Sequence, residues 1–322
     1  MMMSAYIEQT GGIDVIKVGQ LPVPQIKSDE VLVKVIASTI NFVDTFVRAG
    51  TFKTELKFPF VIGRDAVGEV VARGDEVTDF KKGELVWTNS MGYDGRMGTT
   101  SQYTAVSQAR LFKVPNSVEP LKLVAAVHSA ATAAILLADI LKVQAGKSIL
   151  IEGAAGHVGT KLVSVAQYLG LSVSTTSNVL DFDNLQSLGV RNCYDYQKPI
   201  SDINQKFDYI VDTSGKVNLQ INLDQLGLYG QIGLLTAPQT NQFQFDVRKM
   251  YTQSQAIKGF VISHASLEQL QKAGQILNEN FVQGKLLDDA ILKMPLEKAA
   301  EGQEMLVKHQ TKKQKIVLIM PK

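Results

Sequence analysis

The stretch that most constrains this chain is residues 148–159, Ser-Ile-Leu-Ile-Glu-Gly-Ala-Ala-Gly-His-Val-Gly. Ser148–Glu152 is a short run rich in Ile and Leu behind Ala145-Gly146-Lys147, the pattern of a fully buried strand. Gly153-Ala154-Ala155-Gly156 supplies a turn of small residues. Val158, Leu162, Val165, Ala166 and Leu169 then keep helical spacing, and Gly170 stands at the helix stop. Strand, tight turn and helix in that order form the first half of a dinucleotide-binding unit. Residues without bulk let backbone N–H groups approach a pyrophosphate, and the helix N-terminus adds partial positive charge. Because Ala154 stands where the fingerprint's first glycine would be, the turn alone also reads as a plain strand-to-helix connection. The continuation favours the dinucleotide reading. Leu171–Ser174, Phe207–Asp212 and Tyr229–Thr236 read as further strands separated by helical or polar stretches, as a doubly wound parallel sheet requires.

A length of 322 residues holds two domains, each able to bury its own core. The formal net charge is only +2 and no basic stripe appears, which argues against nucleic acid or an anionic membrane as a main partner. The single cysteine, Cys193, excludes an internal disulfide and a four-cysteine zinc lobe, and reads as an inert thiol in a reducing compartment. The first residues, MMMSAYIEQT, lack the regions of a signal peptide, so a soluble cytoplasmic protein is expected. Leu123–Leu141 is long and Ala-rich but interrupted by His128, Ser129, Thr132 and Asp139. It reads as a helix buried against the sheet rather than a membrane span.

Residues 1–122 look β-rich: Glu30–Ala37 alternates, and prolines and glycines mark frequent turns. The nucleotide-binding stretch occupies 123–257. Beyond it, Ser266 with Gln269 forms a capping box, and Leu267, Leu270, Gly274, Leu277 and Phe281 keep helical spacing before Gly284. A second helix is expected from about Leu296, then a final strand, Ile316–Met320. That strand needs a sheet to join, so 258–322 is assigned to the first domain.

Five segments in order carry a resemblance. They are Asn41-Phe-Val-Asp44-Thr-Phe-Val-Arg48-Ala-Gly50, Gly63-Arg64-Asp65-Ala-Val-Gly68-Glu-Val, Phe80-Lys-Lys-Gly83-Glu-Leu-Val86, Gly153-Ala-Ala-Gly156-His-Val-Gly159 and Lys315-Ile-Val-Leu318. Together they resemble the medium-chain dehydrogenase/reductase superfamily, and within it the zinc-independent quinone oxidoreductase (zeta-crystallin-like) branch. The resemblance implies an α/β fold: a Rossmann domain at 123–257, and a GroES-like catalytic domain formed by 1–122 and 258–322. It also implies a homodimer. Two positions depart from the branch: Phe46 replaces a tyrosine near the nicotinamide, and Phe42 replaces a proline.

The resemblance bears on metal and cofactor as well. Zinc-dependent members use a cysteine, a histidine and a third cysteine or histidine; here Asn41 and Arg64 occupy the first two positions and His128 lies near the third. One imidazole does not build a site that needs three protein ligands, so no metal is expected. His128 reads as a hydrogen-bonded histidine on a buried helix or as a cleft-lining group. The nicotinamide cofactor then carries the chemistry, and the protein positions it and excludes water. Gly153, Ala155, Gly156, His157 and Val158 form the phosphate turn, where His157 either donates to the cofactor or faces solvent. Thr176, Ser177 and Asn178 at the second strand's end offer small neutral groups and no carboxylate, which favours NADPH. Val179 and Leu180 stand where the branch often has a lysine, so the preference is modest and NADH remains usable. Tyr196 aligns with a residue that stacks near this ribose in relatives, or is simply a strand-end tyrosine. Ser214, Leu235 and Thr236 end later strands, Phe260 and Ile262 resemble the segment that passes the nicotinamide, and Thr132 lies on the preceding helix.

The expected acceptor is a quinone or an α,β-unsaturated carbonyl, which takes hydride at carbon and leaves charge on oxygen. Asn41 and Arg64 are the nearest candidates to stabilise that charge, with Asn41 also near the cofactor; Arg64 reads more readily as a salt-bridge partner of Asp65 or Asp44. Asn41 and Asp44 shape the cleft, and with Phe46 in place of tyrosine water is expected to deliver the final proton. Two alternatives stand beside this reading: an NADPH-binding redox sensor or structural protein with little turnover, and a zinc alcohol dehydrogenase.

Overall fold

The computed structural model describes all of residues 1–322. In chain order the first strands are β1 (Met2–Ile7), β2 (Lys17–Leu21), β3 (Glu30–Thr39), β4 (Phe60–Val61), β5 (Ala66–Arg73), β6 (Leu85–Thr88), β7 (Tyr103–Ser107) and β8 (Leu111–Lys113). Helix α1 (Phe42–Ala49) follows β3, and α2 (Pro120–Ile135) runs on as one π-helical segment to Leu141. Next come β9 (Ser148–Glu152), α3 (His157–Tyr168), β10 (Ser172–Ser177), α4 (Phe182–Ser187), β11 (Asn192–Asp195), β12 (Phe207–Asp212), α5 (Leu219–Gln225), β13 (Leu226–Leu234), α6 (Val247–Thr252) and β14 (Ala256–Gly259). The chain closes with α7 (Leu267–Val282), β15 (Ile291–Pro295), α8 (Ala299–Val307) and β16 (Lys315–Ile319).

These elements form two compact units, Met1–His128 with Ser266–Lys322, and Ser129–Ala265. In the first, a seven-stranded sheet runs β15-β16-β3-β5-β6-β8, with β7 also paired to β3, and a three-stranded sheet runs β2-β1-β4. The alternation along β3 buries Val31, Val33, Val35 and Ala37 while Lys34 and Ile36 stay exposed. Val31 and Val33 join Val70, Val86 and Val106 in one core; Val35 joins Ile7, Phe60, Leu296, Ile316 and Leu318 in another. The last strand does find a sheet: β16 pairs antiparallel with β3 and parallel with β15.

The second unit is a six-stranded, wholly parallel sheet in the order β11-β10-β9-β12-β13-β14. Counted from β9, that is the doubly wound order 3-2-1-4-5-6, whose direction reverses between β9 and β12. Ile149, Leu150 and Ile151 of β9 have no exposure, as strands covered on both faces require. The helix over Pro120–Leu141 is long and apolar enough to span a membrane by composition, but 83% of its apolar window is buried within the protein.

Helix α7 is seated on the first unit through Trp87, the only tryptophan, which stacks on Phe112 at 4.3 Å and donates from Nε1 to Asn278 Oδ1 at 3.1 Å. Gly274 of α7 has no room for a side chain, since an added Cβ would lie 2.2 Å from the Phe112 ring that Trp87 pins. Gly274→Ala is therefore expected to destabilise by roughly 1–2 kcal/mol, overpacking exceeding the gain in helix propensity. Denaturant unfolding followed by Trp87 fluorescence measures it, and a stabilised variant would contradict this packing.

Candidate functional site

In the doubly wound unit the parallel strands deliver every C-terminus to one rim. Gly153, Ala155 and Gly156 leave β9 there, and His157 and Val158 open α3, whose N-cap Gly156 provides no side-chain cap. Gly153 adopts φ +74°, a conformation that favours glycine, and a Cβ there would also strike Thr213 Oγ1 at 2.6 Å. A Cβ on Gly159 would meet the Ala154 backbone at 2.6 Å, so this glycine is what lets helix and turn touch. At Gly156 a Cβ would meet only Gly153 O, at 3.5 Å, leaving open space above the turn. Uncapped helix donors beside that open space suit an anion.

The other candidates fall on the same rim. Thr176 and Ser177 close β10, with Asn178 just beyond accepting from the Leu180 N–H at 3.0 Å. Tyr196 follows β11 and donates its N–H to Ser177 O at 3.0 Å, leaving the ring half exposed. Ser214 follows β12, Leu235 and Thr236 follow β13, and Phe260 follows β14, its N–H on Leu234 O at 3.1 Å. Ile262 lies in the helical turn after it, and Thr132 on α2 rather than at a strand end. Beneath the rim, Glu152 and Asp212 are register neighbours, both buried. Asp212 Oδ1 accepts from Ser214 N, Ser214 Oγ and Gly215 N at 2.7, 2.8 and 3.1 Å, while Oδ2 is buried without a partner. Burial, opposed by the Asn222 amide at 2.6 Å and reinforced by Asp212, pushes Glu152 up to about 8.

Asn41, Asp44 and Arg64 come together in the other unit, in a buried polar cluster around Asp65. Asp65 Oδ2 accepts from Asn41 Nδ2 at 2.6 Å and Thr39 Oγ1 at 3.0 Å, and Oδ1 lies 3.1 Å from His128 Nδ1. Lys315 Nζ donates to Asn41 Oδ1 at 2.5 Å. Asp44, at the third position of α1, reaches back to accept the Asn41 N–H at 2.7 Å. Arg64 Nη2 donates to Ser90 Oγ at 3.3 Å, and its guanidinium lies 5.5 Å from the Tyr93 ring centroid. Burial is the largest influence on both acids. It pushes Asp44 up to about 7 despite the Asn41 N–H and Arg64, whereas His128, Lys315 and Asn41 together hold Asp65 below the ordinary carboxylate range. Burial also lowers Arg64, with Asp44 and Asp65 opposing.

Sequence reasoning quoted Lys315 only as a motif letter, weighed Asp65 only as a partner of Arg64, and missed Ser90, Tyr93, Glu152 and Asp212. The available signal was charge in apolar surroundings: Lys315 heads an apolar strand, while Glu152 and Asp212 each end one.

Fold and site define a class: a doubly wound unit with an anion-ready rim, joined to a β-rich unit holding a buried charged cluster. Residues 27–116 match the alcohol dehydrogenase GroES-like domain family. Over 330 residues the chain is 27% identical to the quinone oxidoreductase of Sus scrofa, covering 99% of this chain and 98% of that protein. It is 34% identical over 243 residues to the chloroplastic NADPH-dependent alkenal/one oxidoreductase of Arabidopsis thaliana, covering 71% of this chain and 61% of that protein. Among solved structures, an alcohol dehydrogenase superfamily protein from Novosphingobium aromaticivorans shares the fold at a TM-score of 0.87 and 24% identity, with 100% of both chains covered. Residues 27–116 therefore form an alcohol dehydrogenase GroES-like domain, and the chain is an oxidoreductase that resembles quinone oxidoreductases along 99% of its length.

The two raised acids fix a pH dependence of stability. A carboxyl whose folded pKa lies above its unfolded value favours the folded state fully below the unfolded value, and loses that contribution as pH rises through the folded one. Asp44 and Glu152 therefore withdraw stability up to about pH 7 and about pH 8 respectively. Glu152→Gln keeps an acceptor for Asn222 without the charge. Its melting temperature is expected to gain on wild type between about pH 4.5 and about pH 8 and to level off above that, and a constant difference would contradict a raised Glu152.

Proposed function

We propose that the protein is a zinc-independent reductase that uses NADPH to reduce a quinone or an α,β-unsaturated carbonyl. The observation that carries this reading is the open, uncapped turn Gly153–Gly159 at the sheet's switch point. The residues present fit a dinucleotide: backbone donors of α3 for the diphosphate, and Thr176, Ser177 and Asn178 for the adenosine ribose and its 2′-phosphate. When bound, the cofactor supplies a hydride. The Arabidopsis relative is named for NADPH and for alkenals and enones, and the pig relative for quinones, which supports the same choices here.

The chain's own residues then bind, orient and stabilise. The rim holds the dinucleotide, with Tyr196, Ser214, Leu235, Thr236, Phe260, Ile262, His157 and Thr132 as further contacts. In the β-rich unit we assign to Arg64, whose guanidinium is held by Ser90 and Tyr93, the stabilisation of charge on the acceptor oxygen. Asn41 and Asp44 shape that site. Zinc independence rests on donor chemistry: Arg64 is no ligand, Asn41 is engaged by Lys315 and Asp65, and the one imidazole, His128, does not make a site that needs three protein ligands. We further propose a homodimer. Leu228, Tyr229 and Tyr251 are exposed, and the Tyr229 N–H to Gln253 O bond brings their segments together as apolar surface.

Loss of NADPH absorbance with a panel of quinones and enones tests the reading. Turnover is expected on members of either class, with kcat/KM higher for NADPH than NADH and unaffected by chelators. Cofactor binding without turnover on any acceptor would favour the sensor reading instead. Gly156→Glu puts a carboxylate into the open space above the turn. It is expected to weaken NADPH binding at least about tenfold in fluorescence titration, with unfolding unchanged.

A further inference from the structure

The antiparallel register of β5, β6 and β8 gathers three arginines at one end of the larger sheet. Ala66 of β5 and Leu111 of β8 both pair with Thr88, the last residue of β6. Continuing those registers past Thr88 sets Arg110 opposite Asn89 and Arg64 opposite Ser90. The hydrogen bonds agree: Thr88 Oγ1 donates to Arg110 O at 2.8 Å, and the Met91 N–H donates to Arg64 O at 2.9 Å. The loop leaving β6 supplies the third arginine. There the Arg96 N–H donates to Tyr93 O at 3.2 Å, and the Tyr93 ring lies 5.5 Å from the Arg64 guanidinium. Polar atoms at this end are left unmatched. Nη1 of Arg110 and Nε of Arg96 are buried and have no acceptor, and Oδ1 of Asn89, a residue 2% exposed, has no donor. A buried guanidinium N–H without an acceptor has lost its water with nothing in return. The nearby acids are screened or engaged elsewhere. Arg96 Nη1 lies 3.3 Å from Asp94 Oδ2, but that side chain is 74% exposed. Glu55, whose carbonyl accepts the Gly95 N–H, pairs with Lys57 at 3.8 Å, and Asp44 and Asp65 act on Arg64. Burial, Arg96 and Arg64 push Arg110 down to about 10 with Asp94 opposing, so it remains a cation at neutral pH.

We propose that Arg96, Arg110 and Asn89 form a phosphate-binding site at this end of the β-rich unit. The site goes beyond the reductase reading and does not depend on it, since no residue of the dinucleotide rim takes part. Phosphate suits the arrangement better than a carboxylate. Its tetrahedral oxygens accept from guanidiniums that arrive from separate segments, whereas a carboxylate offers two oxygens in one plane. A charge near −2 matches two guanidiniums whose acid partner is an exposed Asp94. The Asn89 amide serves in either orientation, accepting from a protonated phosphate oxygen or donating to a bare one. Arg64, bonded to Ser90, adds positive field from behind the two. The same chemistry recognises inorganic phosphate and the phosphate monoester of a small molecule.

The test is calorimetric titration of the full chain with sodium phosphate, at an ionic strength held constant with sodium chloride. Because the rim also suits an anion, the titration is made on wild type and on Gly156→Glu. Saturable binding is expected in both, weakened at least about tenfold when Arg110→Gln is added to Gly156→Glu. Phosphate should raise the melting temperature of Gly156→Glu above its value in chloride, and should do so much less once Arg110→Gln is present. Arg96→Gln, at the more accessible guanidinium, repeats the comparison should Arg110→Gln fail to fold. Phenyl phosphate separates the two sources: binding at least as tight as inorganic phosphate assigns the site to a monoester, and weaker binding assigns it to the free anion. Phosphate binding that Gly156→Glu abolishes belongs to the rim and overturns the proposal. So does an affinity that both arginine substitutions leave within about twofold, or acetate bound as tightly as phosphate. A protein that reduces no acceptor overturns the reductase reading and leaves this titration intact.

Discussion

The charge on Asp65 is the constraint around which the β-rich unit is arranged. A carboxylate with no exposure is costly unless several donors replace its water, and removing one partner leaves an uncompensated buried charge. The donors come from three separate segments: Thr39 at the end of β3, Asn41 at the start of α1 and His128 on α2. Lys315 is placed by sheet register. β16 pairs with β3 so that Val317 faces Thr39, and continuing that register two residues sets Lys315 opposite Asn41. The apolar pattern that buries Ile316 and Leu318 therefore also aims the ammonium at the Asn41 amide.

The two units handle charge in different ways. The β-rich unit fixes side-chain charges inside, whereas the doubly wound unit gathers backbone donors at the rim of a parallel sheet. Its buried acids shape that rim. Asp212 Oδ1 collects two N–H groups and a hydroxyl from Ser214 and Gly215, which holds the loop beside the Gly153 turn. Glu152, next to it in register, is favoured neutral at physiological pH. On the proposed reading, a charge on Glu152 under the turn would oppose an anion bound above it, and burial suppresses that charge.

Much of this was readable in the sequence, for reasons visible in particular elements. Ser148–Glu152 and Phe207–Asp212 are strands at the residues that apolar continuity indicates, and Ser266 with Gln269 forms the reciprocal cap at the start of α7. β10 extends through Thr175, Thr176 and Ser177, past the Ser174 end that hydrophobicity suggests, because β9 and β11 pair with it on both sides and bury its hydroxyls. β13 starts at Leu226 rather than Tyr229: Leu226 pairs with Phe207 across an irregular register, and Tyr229 takes φ +60° within the strand. Asn41, Asp44 and Arg64 were legible because motifs carry them. The Asp65–His128 contact was not, since it joins residues 63 apart and leaves no local pattern.

On the proposed reading, the stabilising charge is a guanidinium and an ammonium built into the chain rather than a bound divalent ion. Arg64 and Lys315 face Asp44 and Asp65, so two fixed cations meet two acids. The balance is uneven: Asp65, with three donors on its oxygens, stays ionised, whereas Asp44, with one backbone N–H, is pushed to about 7. That asymmetry separates two carboxyls of the same type, a permanent anion among its donors and an acid near neutrality at the N-terminus of α1. Fixed side chains cannot exchange ligands as a metal does, but they need no reorganisation when charge appears on the acceptor. A site of this kind therefore depends on the packing that holds Arg64 against Ser90 and Tyr93, and Lys315 against Asn41, more than on any single donor.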